Sequence, residues 1–117
     1  MNGSGEFIRG FTEYIILSIL EKFDSYGYEL TRVIESASGQ VFQPTEAALY
    51  LALKRMTEDN LIVSGLQKNK KGMNRRVYSI TPEGLNRLTA FRKDWGKIHQ
   101  HLQTLVAGEF TYVRDEQ

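Results

Sequence analysis

The stretch NKKGMNRR, residues 69–76, holds four of the chain's fifteen cations, Lys70, Lys71, Arg75 and Arg76, with Lys68 just outside it. No acid occurs between Asp59 and Glu83, so the segment is strongly positive although the whole chain carries a formal net charge of only +1. Cations at this density attract phosphate oxygens. A solvated loop has the same composition, so the surrounding elements must decide between the two readings. Other reactive side chains support less. His99 and His101 are two apart, which on a helix puts them on nearly opposite faces, where they cannot chelate one metal. Asp94 and His99 form only a surface i,i+5 pair, a poor acid–base couple. The glycines of GSGEFIRG follow no strand, and Ile8 stands where a dinucleotide loop needs its third glycine. With no cysteine there is neither a disulfide framework nor a thiolate metal site. No enzyme activity, cofactor or metal is expected.

The elements that position the cations come from one domain of 117 residues, 41% apolar and 25% charged. The longest apolar run, Tyr14 to Leu17, is far below the roughly 18 residues of a membrane span. Residues 1–6 lack the basic and apolar regions of a secretory signal. They are expected to form a flexible leader of the kind cloning leaves, outside the fold. Together with the lack of cysteine this points to the cytoplasm.

Residues 8–23 read as a first helix too apolar all round to have one wet side, so it should bury a second face against another surface. Asp24, Ser25 and Gly27 break the pattern. A second helix follows over 27–37, with Leu30, Val33, Ile34 and Ala37 inward and Gly39 as its stop. Thr45 caps a third helix, with Glu46 in its first turn. That helix has a core face, Leu49, Ala52, Leu53 and Met56, and a second face of Ala47, Tyr50, Leu51 and Lys54. The second face suits either a solvated edge or a recognition surface. Strands over 61–66 and 76–80 then enclose the basic stretch as a β-hairpin, with Gly72 in its turn. Thr81, Pro82 and Glu83 start a fourth helix that ends at Gly108. Its length, on the order of 39 Å, exceeds a globule whose radius of gyration is about 13 Å. Phe91, Trp95, Ile98, Leu102 and Leu105 repeat as a short heptad seam. They can pack on the first helix or on a second copy. The surplus apolar surface of helix one favours both, with Ile15, Ile98, Leu102 and Leu105 at a homodimer interface.

Helices, hairpin and long final helix in this order describe a winged helix–turn–helix with a dimerising arm, a mainly α fold with a small β-hairpin (α+β). The boundaries are 7–81 for the winged domain, 82–108 for the arm and 109–117 for a tail. In such folds the third helix enters the major groove and the wing lies along the backbone. Thr45, Glu46, Ala47, Tyr50 and Lys54 would line the groove-facing end. Lys70, Lys71, Arg75 and Arg76 would meet phosphates. A winged-helix adaptor that docks protein instead of DNA would share the scaffold, but a protein-binding surface tends to lose lysines rather than cluster them.

Three ordered motifs carry a family resemblance over residues 8–107: ILSIL leading to YGYEL, then LYLALKRMTEDNLI, then RRVYSITPEG. They resemble the PadR-like transcriptional regulators, in the branch with a single C-terminal helix. The resemblance implies a DNA-binding regulator, usually a repressor, whose partners are a double-stranded operator and a second copy of itself. Leu51, Ala48 and Asn60 depart from the family's usual proline, threonine and glycine. The operator sequence therefore cannot be inferred from relatives. Asn60 can still take the left-handed conformation that glycine would.

Trp95 stands fourteen residues after Thr81, as a tryptophan does in the LmrR-type multidrug-sensing repressors that this branch is similar to. The resemblance implies a site for planar aromatic effectors at Trp95 and Phe91, with Phe7, Phe11 and Tyr14 nearby. His99 and Asp94 would be polar contacts, Asp94 favouring cationic compounds. A tryptophan in such a seam can equally be plain core.

Overall fold

The structure, a computed structural model, describes residues 9–115. A 3-10 turn over Arg9–Phe11 leads into helix α1, Thr12–Lys22. Its residues Ile16, Leu17, Ile19 and Leu20 are buried, and Tyr14 and Ile15 are half-buried against the same core.

Strand β1, Ser25–Tyr26, is an element that the sequence reading does not contain. It pairs antiparallel with the wing through Ser25↔Tyr78 and Tyr26↔Val77. The expected two-stranded hairpin is therefore a three-stranded sheet of order β1-β3-β2. A two-residue strand has no alternation to detect, and Asp24 and Gly27 on either side read as a break. Ser25 is nevertheless buried, and its hydroxyl donates to Glu29 Oε1 at 2.7 Å.

Helix α2, Gly27–Ala37, buries Leu30 and Ile34, and Ala37 is exposed. Helix α3, Glu46–Glu58, starts at Thr45, whose Oγ1 accepts the Ala48 N–H at 3.1 Å. Leu49, Ala52, Leu53 and Met56 form its fully buried face. Asn60, at φ 60°, takes the left-handed turn that ends α3.

Strands β2, Ile62–Lys68, and β3, Asn74–Ile80, pair from Ile62↔Ile80 to Lys68↔Asn74. They run two residues nearer the tip than the apolar alternation suggests. The reason lies in the turn, where the Asn69 Oδ1 accepts the N–H groups of Lys71 (2.9 Å) and Met73 (3.0 Å). That side chain satisfies the turn and lets polar residues continue the ladder.

Helix α4, Pro82–Ala107, is locked at its root. The Thr81 Oγ1 accepts the Gly84 N–H at 2.9 Å and donates to the carbonyl of Asn60 at 2.7 Å. A Cβ on Gly84 would overlap the Leu61 carbonyl oxygen, so only glycine allows this approach. The helix ends at Gly108, which is left-handed at φ 74°. Its outer half projects from the globule, giving extents of 72 × 32 × 22 Å and a radius of gyration of 17.9 Å.

Candidate nucleic-acid interface

Thr45, the N-cap, and Glu46, Ala47, Tyr50 and Lys54 along α3 are all exposed, away from its core face. The helix period puts them there once Leu49, Ala52, Leu53 and Met56 are inside. Tyr50 lies across the start of α2, so close that a Cβ on Gly27 would be 2.5 Å from its hydroxyl. Gly27, Tyr28, Thr31, Glu46 and Tyr50 together line a small cup between the two helix starts. The Tyr28 hydroxyl accepts from Arg32 Nη1 at 2.9 Å on its rim.

The wing cations are not equivalent. Lys70 and Lys71 are exposed at the tip. Arg75 and Arg76 are consecutive on β3 and so emerge on opposite faces of the sheet. Arg76 shares a face with Tyr78, which belongs to the core, and its Nη1 donates to Ser64 Oγ at 3.0 Å. Burial pushes the Tyr78 phenol above its ordinary pKa, the Arg76 guanidinium opposes this, and the Tyr50 phenol adds to it. Arg76 and Tyr50, both exposed, thus lie on either side of the buried Tyr78, one from the wing and one from α3. Arg75 lies on the other face, half-buried, with its guanidinium 3.8 Å from the ring centroid of Tyr26. The sequence gives no sign of this stack, because Tyr26 belongs to the strand that has no sequence signature.

A second feature lies between α1 and α4. Tyr14 stacks on Phe91 with centroids 3.7 Å apart, and Phe11 meets Trp95 edge-on at 5.1 Å. Phe91 and Trp95 are 5.7 Å apart, and the His99 ring is 5.4 Å from Trp95. Phe11, Tyr14, Phe91 and Trp95 form one end of an open apolar groove of about 640 Å³ that also takes in Ile15, Val33, Ile34 and Phe42; His99 lies outside its lining. Lys22 and Arg92 are its charged lining residues, and Arg92 pairs with Glu21 at 2.9 Å. Asp94 is exposed outside that lining, and Phe7 lies outside the described residues. The heptad seam divides in two: Phe91 packs on Tyr14 of α1 and Trp95 on Phe11 just before it, whereas Ile98, Leu102 and Leu105 are 47%, 47% and 59% exposed. Among the described residues no group of three or more His, Asp or Glu could hold a metal ion, and no helix is long and apolar enough to cross a membrane.

The profile of the transcriptional regulator PadR-like family matches residues 16–90, which run from α1 through the wing into α4. The chain belongs to that family. A solved transcriptional regulator from Clostridium thermocellum is 32% identical with a TM-score of 0.73, covering 92% of this chain and 99% of that one. The negative transcriptional regulator PadR of Bacillus subtilis is 26% identical over 98 residues, 84% of this chain. This PadR-like chain spans only 52% of the length of that protein. The B. subtilis PadR structure in complex with operator DNA aligns at a TM-score of 0.62 and 24% identity, a likeness of fold, over 68% of this chain and 45% of that one. As a member of a family of transcriptional regulators, the chain is not an enzyme.

Proposed function

We propose that this PadR-like regulator binds a double-stranded DNA operator as a homodimer and represses transcription in the cytoplasm. The observation that carries the reading is the pairing of exposed wing cations, Lys70, Lys71 and Arg76, with the exposed face of α3 at Thr45, Glu46, Ala47, Tyr50 and Lys54 in one domain. Thr45, Glu46, Ala47, Tyr50 and Lys54 would read the major groove, and Lys70, Lys71, Arg75 and Arg76 would bind phosphates. B. subtilis PadR, which shares the fold, was crystallised with operator DNA, and this supports the assignment. The winged domain, 7–81, would then carry recognition and residues 82–108 assembly.

Dimerisation has its own support. Exposed Ile98, Leu102 and Leu105 project beyond the globule, and an apolar groove between α1 and α4, with Ile15 in its lining, is open to receive a second copy. Burying both would remove surface that a solitary soluble chain rarely exposes. The ring cluster around Trp95 is the best-supported site for a planar aromatic effector that changes operator affinity. The test is selection of bound duplexes from a random library, followed by salt titration. Enrichment of one motif, with affinity falling steeply as salt rises, would support the reading. Absence of any duplex binding would reject it.

A further inference from the structure

The cation–π stack on the wing has a consequence beyond charge. Lys70 and Lys71 reach into solvent on flexible stems, and ordering such a stem against a phosphate costs rotamer entropy. Arg75 is held before any ligand arrives. Its guanidinium lies 3.8 Å from the centroid of the Tyr26 ring, and its Nε is buried with no hydrogen-bond partner. The head is therefore fixed by the ring face and not by a hydrogen bond. Tyr26 is itself fixed, because it pairs with Val77 on β3 and is the residue immediately before α2.

We infer that Tyr26 is a positioning residue of the DNA interface, holding Arg75 ready to receive a backbone phosphate. The inference rests on the DNA reading above and adds to it a residue that need never touch DNA. Arginine suits the role because its planar head stacks on a ring while its outer N–H groups stay free. Lysine keeps the charge but cannot reproduce that planar stack.

The test measures duplex affinity against salt for the intact protein, using the selected operator. Arg75→Gln removes a counterion-releasing contact, so the salt slope should fall by about 0.9 unit. Tyr26→Leu should weaken binding by about three- to tenfold, the scale of freeing one long side chain, with the slope unchanged. Tyr26→Phe keeps the ring face and should bind like the unmodified protein. Tyr26→Leu added to Arg75→Gln should cost nothing more, because there is no guanidinium left to hold. If Tyr26→Leu does not fold, Arg75→Lys answers the same question, with a similar loss expected at unchanged slope. Unaltered affinity in Tyr26→Leu or Arg75→Lys would overturn the inference, as would full additivity in the double variant. If the unmodified protein bound no duplex at all, the DNA reading itself would fall, and this inference with it.

Discussion

Gly27 and Tyr50 meet where α2 and α3 begin, with the phenol occupying the space a Cβ would take on Gly27. The tip of a half-exposed tyrosine can swing aside at little cost, unlike backbone. Gly27→Ala should therefore change stability by no more than about 1 kcal/mol while moving Tyr50 off its present line. Operator affinity should fall about tenfold, the scale of one groove contact, and Tyr50→Ala should do the same. Thermal melts beside binding isotherms check this. Unchanged affinity in both variants would remove Tyr50 from the recognition surface.

Gly84 behaves differently, because the group in the way is the Leu61 carbonyl. Gly84→Ala should cost about 1–3 kcal/mol through forced backbone shifts, lowering Tm by about 4–8 °C for each kcal/mol. A melting temperature within a degree of the original would show that the root of α4 is looser than this packing implies.

Leu102→Glu addresses assembly. Leu102 is half-exposed on the projecting part of α4, so the isolated fold should tolerate a carboxylate there. In a dimer seam the same change would bury a charge from each copy, which is strongly unfavourable. Sedimentation at micromolar concentration should show a monomer with an unchanged helical spectrum. A persisting dimer would locate the interface elsewhere.

Trp95 is the chain's single tryptophan, and its ring contacts Phe11, Phe91 and His99. A planar aromatic dye entering this cluster should quench its fluorescence, with a stacking gain of about 0.5–1.5 kcal/mol per ring pair. Trp95→Ala should weaken dye binding, followed by the dye's own absorbance. By linkage, saturating dye should change operator affinity by the same factor that DNA changes dye affinity. Equal dye affinity in the variant would mark Trp95 as core alone.

Tyr78 links stability to alkaline pH. Burial raises its phenol pKa above the ordinary 10.0, with Arg76 opposing and Tyr50 adding. A raised folded-state pKa means that the folded state holds the proton when the unfolded chain has released it. The contribution is complete below about pH 10 and is lost as pH rises through the folded value. Denaturant midpoints should therefore fall above pH 10, and less steeply in Tyr78→Phe. Parallel curves would assign the alkaline loss to other groups.

Local signals made most of the fold legible. Thr45, Thr81, Asn60 and Gly108 mark helix ends by cap chemistry and left-handed backbone that depend on few neighbours. The core face of α3 follows from its period. Relationships across the chain were not legible in the same way. Strand β1 exists because β3 offers it an edge, and its two residues hold no pattern of their own. The opposite fates of Arg75 and Arg76 follow from strand alternation, but the Tyr26 stack needs the missing strand. The heptad over α4 was visible, whereas its division between rings packed on α1 and free aliphatic residues depends on where the globule ends.

The root of α4 combines three restraints within four residues: Thr81 bonded on both sides, Pro82 without an N–H, and Gly84 pressed on a carbonyl. A helix clamped at one end and free over its last turns is a cantilever. Force applied near Leu105 pivots first on the contacts of Trp95 and Phe91 with Phe11 and Tyr14, and what passes them reaches Thr81 and the carbonyls of Asn60 and Leu61, the joint between α3 and the wing.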